Sequence, residues 1–365
     1  IGGSSGAGKT FTLQCLGGRL RQQGRRVIFI VPKKGHEFRP LCELLGGLYL
    51  KMSPSSRDCP NIMAIRRKSL DAYAGLRDMA ARDDSVLADK ISRLIIWYSL
   101  QKRDLGDEDK NHLDSSLVEC YRRYGITFDN DSVLEKDGSF RKMPIIADWY
   151  KVLQESPETK HLAVVLARYV TGSASAMGAR NDIDLNNKCI VLDTSGMPDD
   201  LLLPGIFWAT DIANDLIMDA GSDLSALIAD ELWSLVGANS NPLAAGFVQE
   251  MVKTIRGLGG IAVTSTQGMQ DLFGLDGGKY GKGILDSSRI KLVMQMEEQE
   301  ARLIQGVLNL SEEEVRQITR FRRGEGLLCI GYNHVPIAFH ATQKEYDAIT
   351  TSPTDLRIRR TGGAK

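Results

Sequence analysis

The sequence lacks several features that would decide its class at once. Its 46 basic and 46 acidic residues cancel, so the whole chain gives no electrostatic reason to expect a nucleic-acid-binding polycation. The six cysteines and five histidines form no CxxC pair, HExxH motif or other zinc-ligand spacing. So few cysteines in 365 residues also argue against a disulfide framework and favour a reducing cytoplasm.

Long apolar runs and internal repeats are also missing. The most apolar stretch, residues 201–213, follows Asp199 and Asp200 and is interrupted by Asp211. We therefore predict no membrane-spanning helix. The chain begins at Ile1 in what resembles the end of a strand, so we expect the natural protein to continue upstream.

The charges that cancel over the whole chain are unevenly distributed. Residues 1–59 contain ten basic and three acidic residues, whereas residues 181–250 contain twelve acidic residues and one lysine. The basic segment includes Arg19, Arg21 and the pair Arg25–Arg26. We favour a solvated helix face followed by a strand for these arginines over a non-specific contact with DNA phosphates.

Short apolar runs alternate with helical segments, which is the pattern of an α/β protein with a mostly parallel sheet. The run RVIFIV at residues 26–31 is typical of a buried parallel strand. Further strands are predicted at residues 48–52, 189–192, 224–229, 261–264 and 290–296, and a hairpin at 326–340.

The central part of the chain has helical periodicity instead. Its clearest helices are predicted at residues 85–102, 114–124 and 144–155, and the stretch is too long for one crossover between strands. We therefore predict a discontinuous α/β domain at residues 1–59 and 180–350. An all-helical insertion at 60–179 interrupts it, and a basic tail at 351–365 follows it.

One motif carries most of the chemical information. Residues 3–10 fit GxxxxGK[ST] between a strand end and a helix start, a setting that disfavours a chance match. The glycines let successive N–H groups point at phosphate oxygens. Lys9 would serve the β- and γ-phosphates, and the Thr10 hydroxyl would bind Mg²⁺. The predicted nucleotide-binding residues are Gly3, Ser4, Ser5, Gly6, Ala7, Gly8, Lys9, Thr10 and Phe11.

A second acidic element completes this kind of site. The apolar strand at residues 224–229 ends in Asp230 and Glu231. Asp230 is predicted to hold Mg²⁺, and Glu231 to polarise the attacking water. The alternative is that the pair only caps the next helix, which the presence of the phosphate loop disfavours.

Two further polar residues are candidates for the same reaction. Gln267 follows the strand at residues 261–264, and a glutamine at that edge of a parallel sheet faces the ligand crevice. Arg256 closes the preceding helix and is a candidate for an arginine that acts on a neighbouring subunit's nucleotide. The alternative for both is an exposed polar side chain, and an arginine at a helix end also suits the helix dipole.

The sequence resembles the conjugative and type IV secretion ATPases, the TraC/TrbE group that includes the VirB-type component four, within the HerA/FtsK-like branch of RecA-fold P-loop ATPases. The separation of 221 residues between Lys9 and Asp230 suits ring ATPases with a long insertion. Further matches follow in order at residues 46–47, 60–63, 114–127, 143–153, 193–196, 321–326 and 345–351.

The resemblance implies roles for matching positions. Lys9, Thr10, Asp230 and Glu231 would form the phosphate, Mg²⁺ and water site, Gln267 the strand-end glutamine and Arg256 the inter-subunit arginine, with Arg322 or Arg323 as alternatives for that last role. Val31 stands where the family often has aspartate, so an acidic contact is not expected there.

The function implied is ATP hydrolysis, with Mg²⁺, that powers substrate transfer and channel or pilus assembly. Expected partners are further copies in a ring of six, or a monomer for the isolated chain, together with secretion-channel and coupling proteins. The family also implies an N-terminal domain before Ile1 that brings the protein to the cytoplasmic face of the cell membrane. The alternatives are a DNA-translocating coupling ATPase and a non-catalytic scaffold stabilised by nucleotide.

Overall fold

The computed structural model describes residues 1–67, 85–102, 104–219, 224–237, 239–268 and 275–350. The predicted tail at 351–365 lies outside the described residues.

A five-stranded parallel sheet forms the centre of the fold, in the order β2-β3-β1-β4-β5. Five of the six residues of β1 are buried, because helices cover both faces of the sheet. The strands are β1 (Arg26–Val31), β2 (Leu48–Lys51), β3 (Cys189–Asp193), β4 (Ser225–Asp230) and β5 (Ile261–Ser265).

A second, antiparallel sheet extends the first through the start of the chain. Gly2 forms parallel bridges with Thr266, just after β5, and with Val293, so residues 1–2 lie between the two sheets. The second sheet has the order β6-β7-β8, and the predicted C-terminal hairpin is β7 and β8. Its strands are β6 (Ile290–Met294), β7 (Glu325–Ile330) and β8 (Asn333–Ala338).

The alternation of side chains along the strands divides the core in two. Val27 and Phe29 point to one face of the sheet, whereas Ile28 and Ile30 belong to the larger cluster on the other face. The first face is covered by α1 (Lys9–Gln22), α2 (Arg39–Leu44) and α13 (Gln343–Ile349).

The larger cluster joins the sheet to the helical segment of the chain. Trp97 of α3 (Val86–Ser99) packs edge-on against Trp208 of α8 (Asp199–Met218), with ring centroids 5.7 Å apart. This cluster runs without a break from the sheet into the insertion, so the insertion shares the core of the α/β part; the domain boundaries stay a prediction. The helices are α3 (Val86–Ser99), α4 (Asp107–Arg122), α5 (Ile146–Glu155), α6 (Lys160–Val170), α7 (Ser175–Gly178), α8 (Asp199–Met218) and α9 (Pro242–Gly257).

Ion pairs buried between α3 and α8 accompany this apolar contact. Lys90 Nζ lies 2.6 Å from a carboxylate oxygen of Asp211, and Arg93 lies 2.8 Å from Asp215. Arg67, just before the undescribed segment, lies 3.0 Å from the same Asp215 carboxylate. Burial by itself would raise the pKa of Asp215, but Arg93 and the other cations outweigh it and hold that pKa well below its usual value.

The apolar helix α8 is long and apolar enough to cross a membrane by length and composition, but 89% of its apolar window is buried inside the protein. It is therefore the core helix of the larger cluster. The remaining helices are α10 (Lys279–Ser287), α11 (Glu298–Leu308) and α12 (Glu312–Arg320).

The predicted α/β fold with a mostly parallel sheet is confirmed, and most predicted elements differ from the observed ones by a few residues. The largest difference is α4, which begins at Asp107 instead of residue 114. Its first turn holds Asp107, Glu108 and Asp109, which suit the positive end of a helix but carry no apolar periodicity.

Candidate nucleotide-binding site

The glycine-rich loop lies between residues 1–2 and α1, at the carboxyl edge of the parallel sheet. Gly6 and Gly8 have φ values of 86° and 106°, which glycine adopts without steric cost. Ala7 is buried against Leu292 and Met294 of β6. Gly8 is the residue before α1, and no side chain caps that helix, so the helix end presents backbone N–H groups to an anion.

The side chain of Lys9 lies inside this loop. It is 5% exposed, and its Nζ donates hydrogen bonds to the carbonyl oxygens of Gly3 at 2.5 Å and Ser4 at 2.8 Å. Burial lowers the pKa of Lys9, while nearby Asp230 and Glu231 act in the opposite direction. The predicted cation is therefore close to the predicted acidic pair, although 221 residues separate Lys9 from Asp230 in the chain.

The acidic pair occupies the end of β4 with two different backbone conformations. Asp230 is the last residue of the strand, and its carboxylate accepts a hydrogen bond from the Ser265 hydroxyl on β5. Glu231 follows with φ 52° and ψ 26°, a left-handed conformation that is uncommon for a residue with a side chain. Such backbone strain is concentrated at functional sites. Glu231 is the N-cap residue of the short helix that follows, but its side chain makes no capping hydrogen bond; the catalytic role of the pair stays a prediction.

Two charged residues near Lys9 were not among the predicted site residues. Glu300 on α11 and Lys33, just after β1, both influence the pKa of Lys9, Glu300 raising it and Lys33 lowering it. The Ser4 hydroxyl also donates to Glu300 at 3.4 Å. No local pattern marks either residue, because α11 and β1 reach the loop only through the topology of the sheet.

Gln267 lies at the same edge as the loop. It follows Thr266, whose backbone N–H donates to the carbonyl of Ile1 at 3.0 Å, and its side chain is partly exposed. Since β5 lies directly between residues 1–2 and β4, its end separates the loop from Asp230. The fold thus brings Lys9, Asp230, Glu231 and Gln267 to one edge of the sheet.

Arg256 lies at the opposite edge. The helix α9 connects the parallel strands β4 and β5, so its C-terminal end returns to the start of β5, about 16 Å of strand away from the loop. Arg256 is exposed and donates to the carbonyl of Ser287 at 3.4 Å. The fold does not bring Arg256 to its own nucleotide loop, and its role towards the nucleotide of a neighbouring copy stays a prediction.

Phe11 and the arginines of the basic segment make contacts within the chain. The Phe11 ring lies 6.1 Å from that of Tyr346 on α13. Arg19 is paired with Glu345 of the same helix at 2.7 Å, and Arg26 donates to the carbonyls of Asn187 and Leu216. These intramolecular contacts favour the structural interpretation of Arg19 and Arg26 over a DNA surface.

The solved structures provide the comparison that decides the resemblance. VirB4 of Thermoanaerobacter pseudethanolicus superimposes with a TM-score of 0.81 and 28% sequence identity, over 94% of this chain and 89% of that one. The predicted resemblance to the VirB4 group is confirmed. No family model matches the chain, and no curated protein matches it either.

More distant neighbours share the fold of this VirB4-like chain. The plasmid coupling protein TrwB with ADP and Mg²⁺ matches with a TM-score of 0.56 and 12% identity, over 94% of this chain and 85% of that one. The same protein with a non-hydrolysable ATP analogue matches with a TM-score of 0.57 and 14% identity, over 94% of this chain and 84% of that one. The fold is therefore one that holds nucleotide and Mg²⁺ in TrwB.

The VirB4-like site also suits these ligands by its own chemistry. The uncapped start of α1 and the left-handed glycines match a phosphate chain. Thr10 in the first turn and Asp230 provide the oxygen ligands that Mg²⁺ prefers. Among the described residues, no group of three or more His, Cys, Asp or Glu side chains is placed to hold a metal, so part of the coordination shell would come from phosphate and water.

Proposed function

We propose that this chain hydrolyses ATP to power a conjugation or type IV secretion machine. The observation that carries the proposal is the convergence of a complete phosphate loop, with buried Lys9, and of the acidic pair Asp230–Glu231 at one sheet edge, in a chain 28% identical to VirB4.

Each residue has a defined task in this proposal. The loop amides and Lys9 bind the phosphate chain, which requires Lys9 to exchange the carbonyls of Gly3 and Ser4 for phosphate oxygens. Thr10 and Asp230 hold Mg²⁺, which neutralises charge on the phosphates. Glu231 accepts a proton from the water that attacks the γ-phosphorus as the bond to ADP breaks, and Gln267 orients that water.

The place of Arg256 supports a ring assembly. Because this arginine lies at the edge opposite its own loop, a ring of copies, six in our proposal, would bring it to a neighbour's nucleotide. We propose that the ring works on the cytoplasmic side of the cell membrane with secretion-channel and coupling proteins as partners.

A DNA-translocating coupling ATPase is the second candidate. VirB4 matches with a TM-score of 0.81, whereas the TrwB structures reach 0.53 to 0.57 with 12–14% identity, and this difference favours the secretion ATPase. The contacts of Arg19 and Arg26 within the chain also weigh against a DNA surface.

The test of hydrolysis uses Glu231→Gln, which keeps the size of the side chain and removes the proton acceptor. We expect ATP binding within about twofold of wild type and a loss of steady-state phosphate release of about 10²-fold or more. Glu250→Gln on α9, away from the loop, is the matched control. Equal phosphate release by wild type and Glu231→Gln would refute the mechanism, whereas a wild type that binds ATP without releasing phosphate would favour a nucleotide-stabilised scaffold.

A further inference from the structure

The turn between α12 and β7 is bound to the nucleotide loop of the same chain. The backbone N–H of Gly324 donates to the carbonyl of Ala7 at 3.0 Å, and a Cβ atom on Gly8 would lie 3.2 Å from that nitrogen. The two residues before Gly324 are Arg322 and Arg323. Their backbone is therefore held beside the phosphate loop.

This placement is fixed from both sides of the turn. The Arg322 N–H donates to the Glu325 carboxylate at 2.8 Å, and the Phe339 N–H donates to the carbonyl of Gly324 at 2.8 Å. Next along the chain, β7 pairs with β6, and β6 in turn bonds to Gly2 at the base of the loop. The turn and the phosphate loop therefore belong to one hydrogen-bonded unit.

The side chains of these two arginines are not engaged elsewhere. Both residues are exposed, and within the described ranges neither guanidinium takes part in a hydrogen bond or ion pair. In contrast, Arg19 in the last turn of α1 is paired with Glu345. The turn beside the loop therefore carries two guanidinium groups that no carboxylate of the described residues pairs with.

Carboxylates and cations both lie around Lys9. Burial and Lys33 lower the pKa of Lys9, whereas Asp230, Glu231 and Glu300 raise it. Bound nucleotide adds further negative charge. Arginine suits this charge because its planar guanidinium binds phosphate oxygens with two parallel hydrogen bonds.

We propose that Arg322 and Arg323 act in cis: they bind the phosphates of the nucleotide held by the loop of their own chain. This assignment separates them from Arg256, which lies at the opposite sheet edge and reaches only a neighbour. The inference rests on the proposed ATPase function and specifies two further residues of that site.

The first experiment measures nucleotide affinity in the full chain. We expect Arg322→Ala/Arg323→Ala to weaken binding of ATP about tenfold or more, with little change for AMP, which lacks the β- and γ-phosphates. Arg322→Lys/Arg323→Lys should recover part of the ATP affinity, because lysine restores the charge without the planar guanidinium. Arg320→Ala, on the last turn of α12, is the control; an unchanged melting temperature separates a ligand effect from a damaged turn.

The second experiment separates cis from trans action by mixing inactive variants. Combining Lys9→Ala with Arg322→Ala/Arg323→Ala should restore no phosphate release, because no subunit then has both its loop lysine and its arginines. Combining Lys9→Ala with Arg256→Ala should restore activity in a ring. In a monomer, loss of ATP affinity in the double arginine variant is itself evidence of cis action.

The outcomes distinguish the two proposals. Restored activity in the first mixture, or ATP affinity and phosphate release unchanged in the double arginine variant, overturns the cis assignment while the ATPase proposal stands. A wild-type chain that binds ATP without releasing phosphate overturns the proposed function, and the affinity comparison still tests the arginines. A wild-type chain that binds no ATP overturns both.

Discussion

The molecule contains two concentrations of charge that are organised in opposite ways. At the nucleotide site, Lys9 is bonded to backbone carbonyls, while the acidic pair Asp230–Glu231 lies nearby. Between α3 and α8, Lys90 and Asp211 are paired directly at 2.6 Å with almost no exposure. In our proposal the charges of the first set bind a ligand, whereas those of the second set are paired with one another.

The two regions should respond differently when a charge is removed. Exchanging backbone carbonyls for phosphate costs Lys9 little, because the loop and the helix end are built to receive an anion. An ion left without its partner between α3 and α8 would remain in a medium of low dielectric constant, where an unpaired charge is very unfavourable. Removing a charge should therefore reduce activity at the candidate nucleotide site and should lower the free energy of unfolding between α3 and α8.

The largest effect is expected for Lys9→Ala. Removing the loop cation should reduce ATP hydrolysis by about 10²- to 10³-fold with little change in the melting temperature, since the Lys9 ammonium is bonded to backbone carbonyls and not paired directly with a carboxylate. Phosphate release and thermal unfolding measure the two quantities. Lys34→Ala, an exposed lysine after β1, is the control, and a large loss of stability in Lys9→Ala would remove the distinction between the two regions.

Asp211→Ala should have the converse effect. It removes the carboxylate nearest to Lys90, whose next carboxylate, Asp215, lies 3.8 Å away and is already paired with Arg93. Breaking a buried ion pair costs about 3–5 kcal/mol of unfolding free energy. Denaturant unfolding measures this loss. Asp200→Ala on the same helix, where the Asp200 side chain is 63% exposed, should cost less than about 1 kcal/mol.

A double variant sharpens the same point. Lys90→Met with Asp211→Leu removes both ions and fills the space with apolar atoms, so it should be less destabilising than Asp211→Ala alone. The interaction free energy from the double-mutant cycle should be about 1–3 kcal/mol. Additive single effects would show that the pair does not link the insertion to α8.

The smallest effect concerns acid stability, where a partly exposed pair lies between the two extremes. Hydrogen bonding to Arg19 lowers the pKa of Glu345 to about 2, below the ordinary value of about 4.3. The folded state favours the ionised form, so this contribution is present above the ordinary pKa and is lost as the pH falls towards 2. Glu345→Gln should therefore flatten the decline in melting temperature over this window. The exposed Glu43→Gln is the control, and an unchanged slope in Glu345→Gln would contradict the assignment.

Much of the fold could be predicted from the sequence because its signals are local. The strand 26–31 was found from an apolar, β-branched run, and β7 and β8 from two such runs around Gly331. The start of α4 at Asp107 was missed because its first turn is acidic and has no apolar face. Asp211 was interpreted as an interruption of an apolar stretch, whereas it is the partner of Lys90, 121 residues away.

For the candidate site too, local sequence signals could be interpreted, whereas contacts between distant segments could not. The residue types and spacing of the phosphate loop, the acidic pair and Gln267 are properties of short segments, so the sequence alone was enough to predict the kind of site, as it was for the α/β class. Which residues surround that site was decided by the tertiary structure, because strand order and crossover direction depend on contacts between distant segments. Those contacts bring Glu300 and the Arg322–Arg323 turn to the loop and carry Arg256 to the other edge.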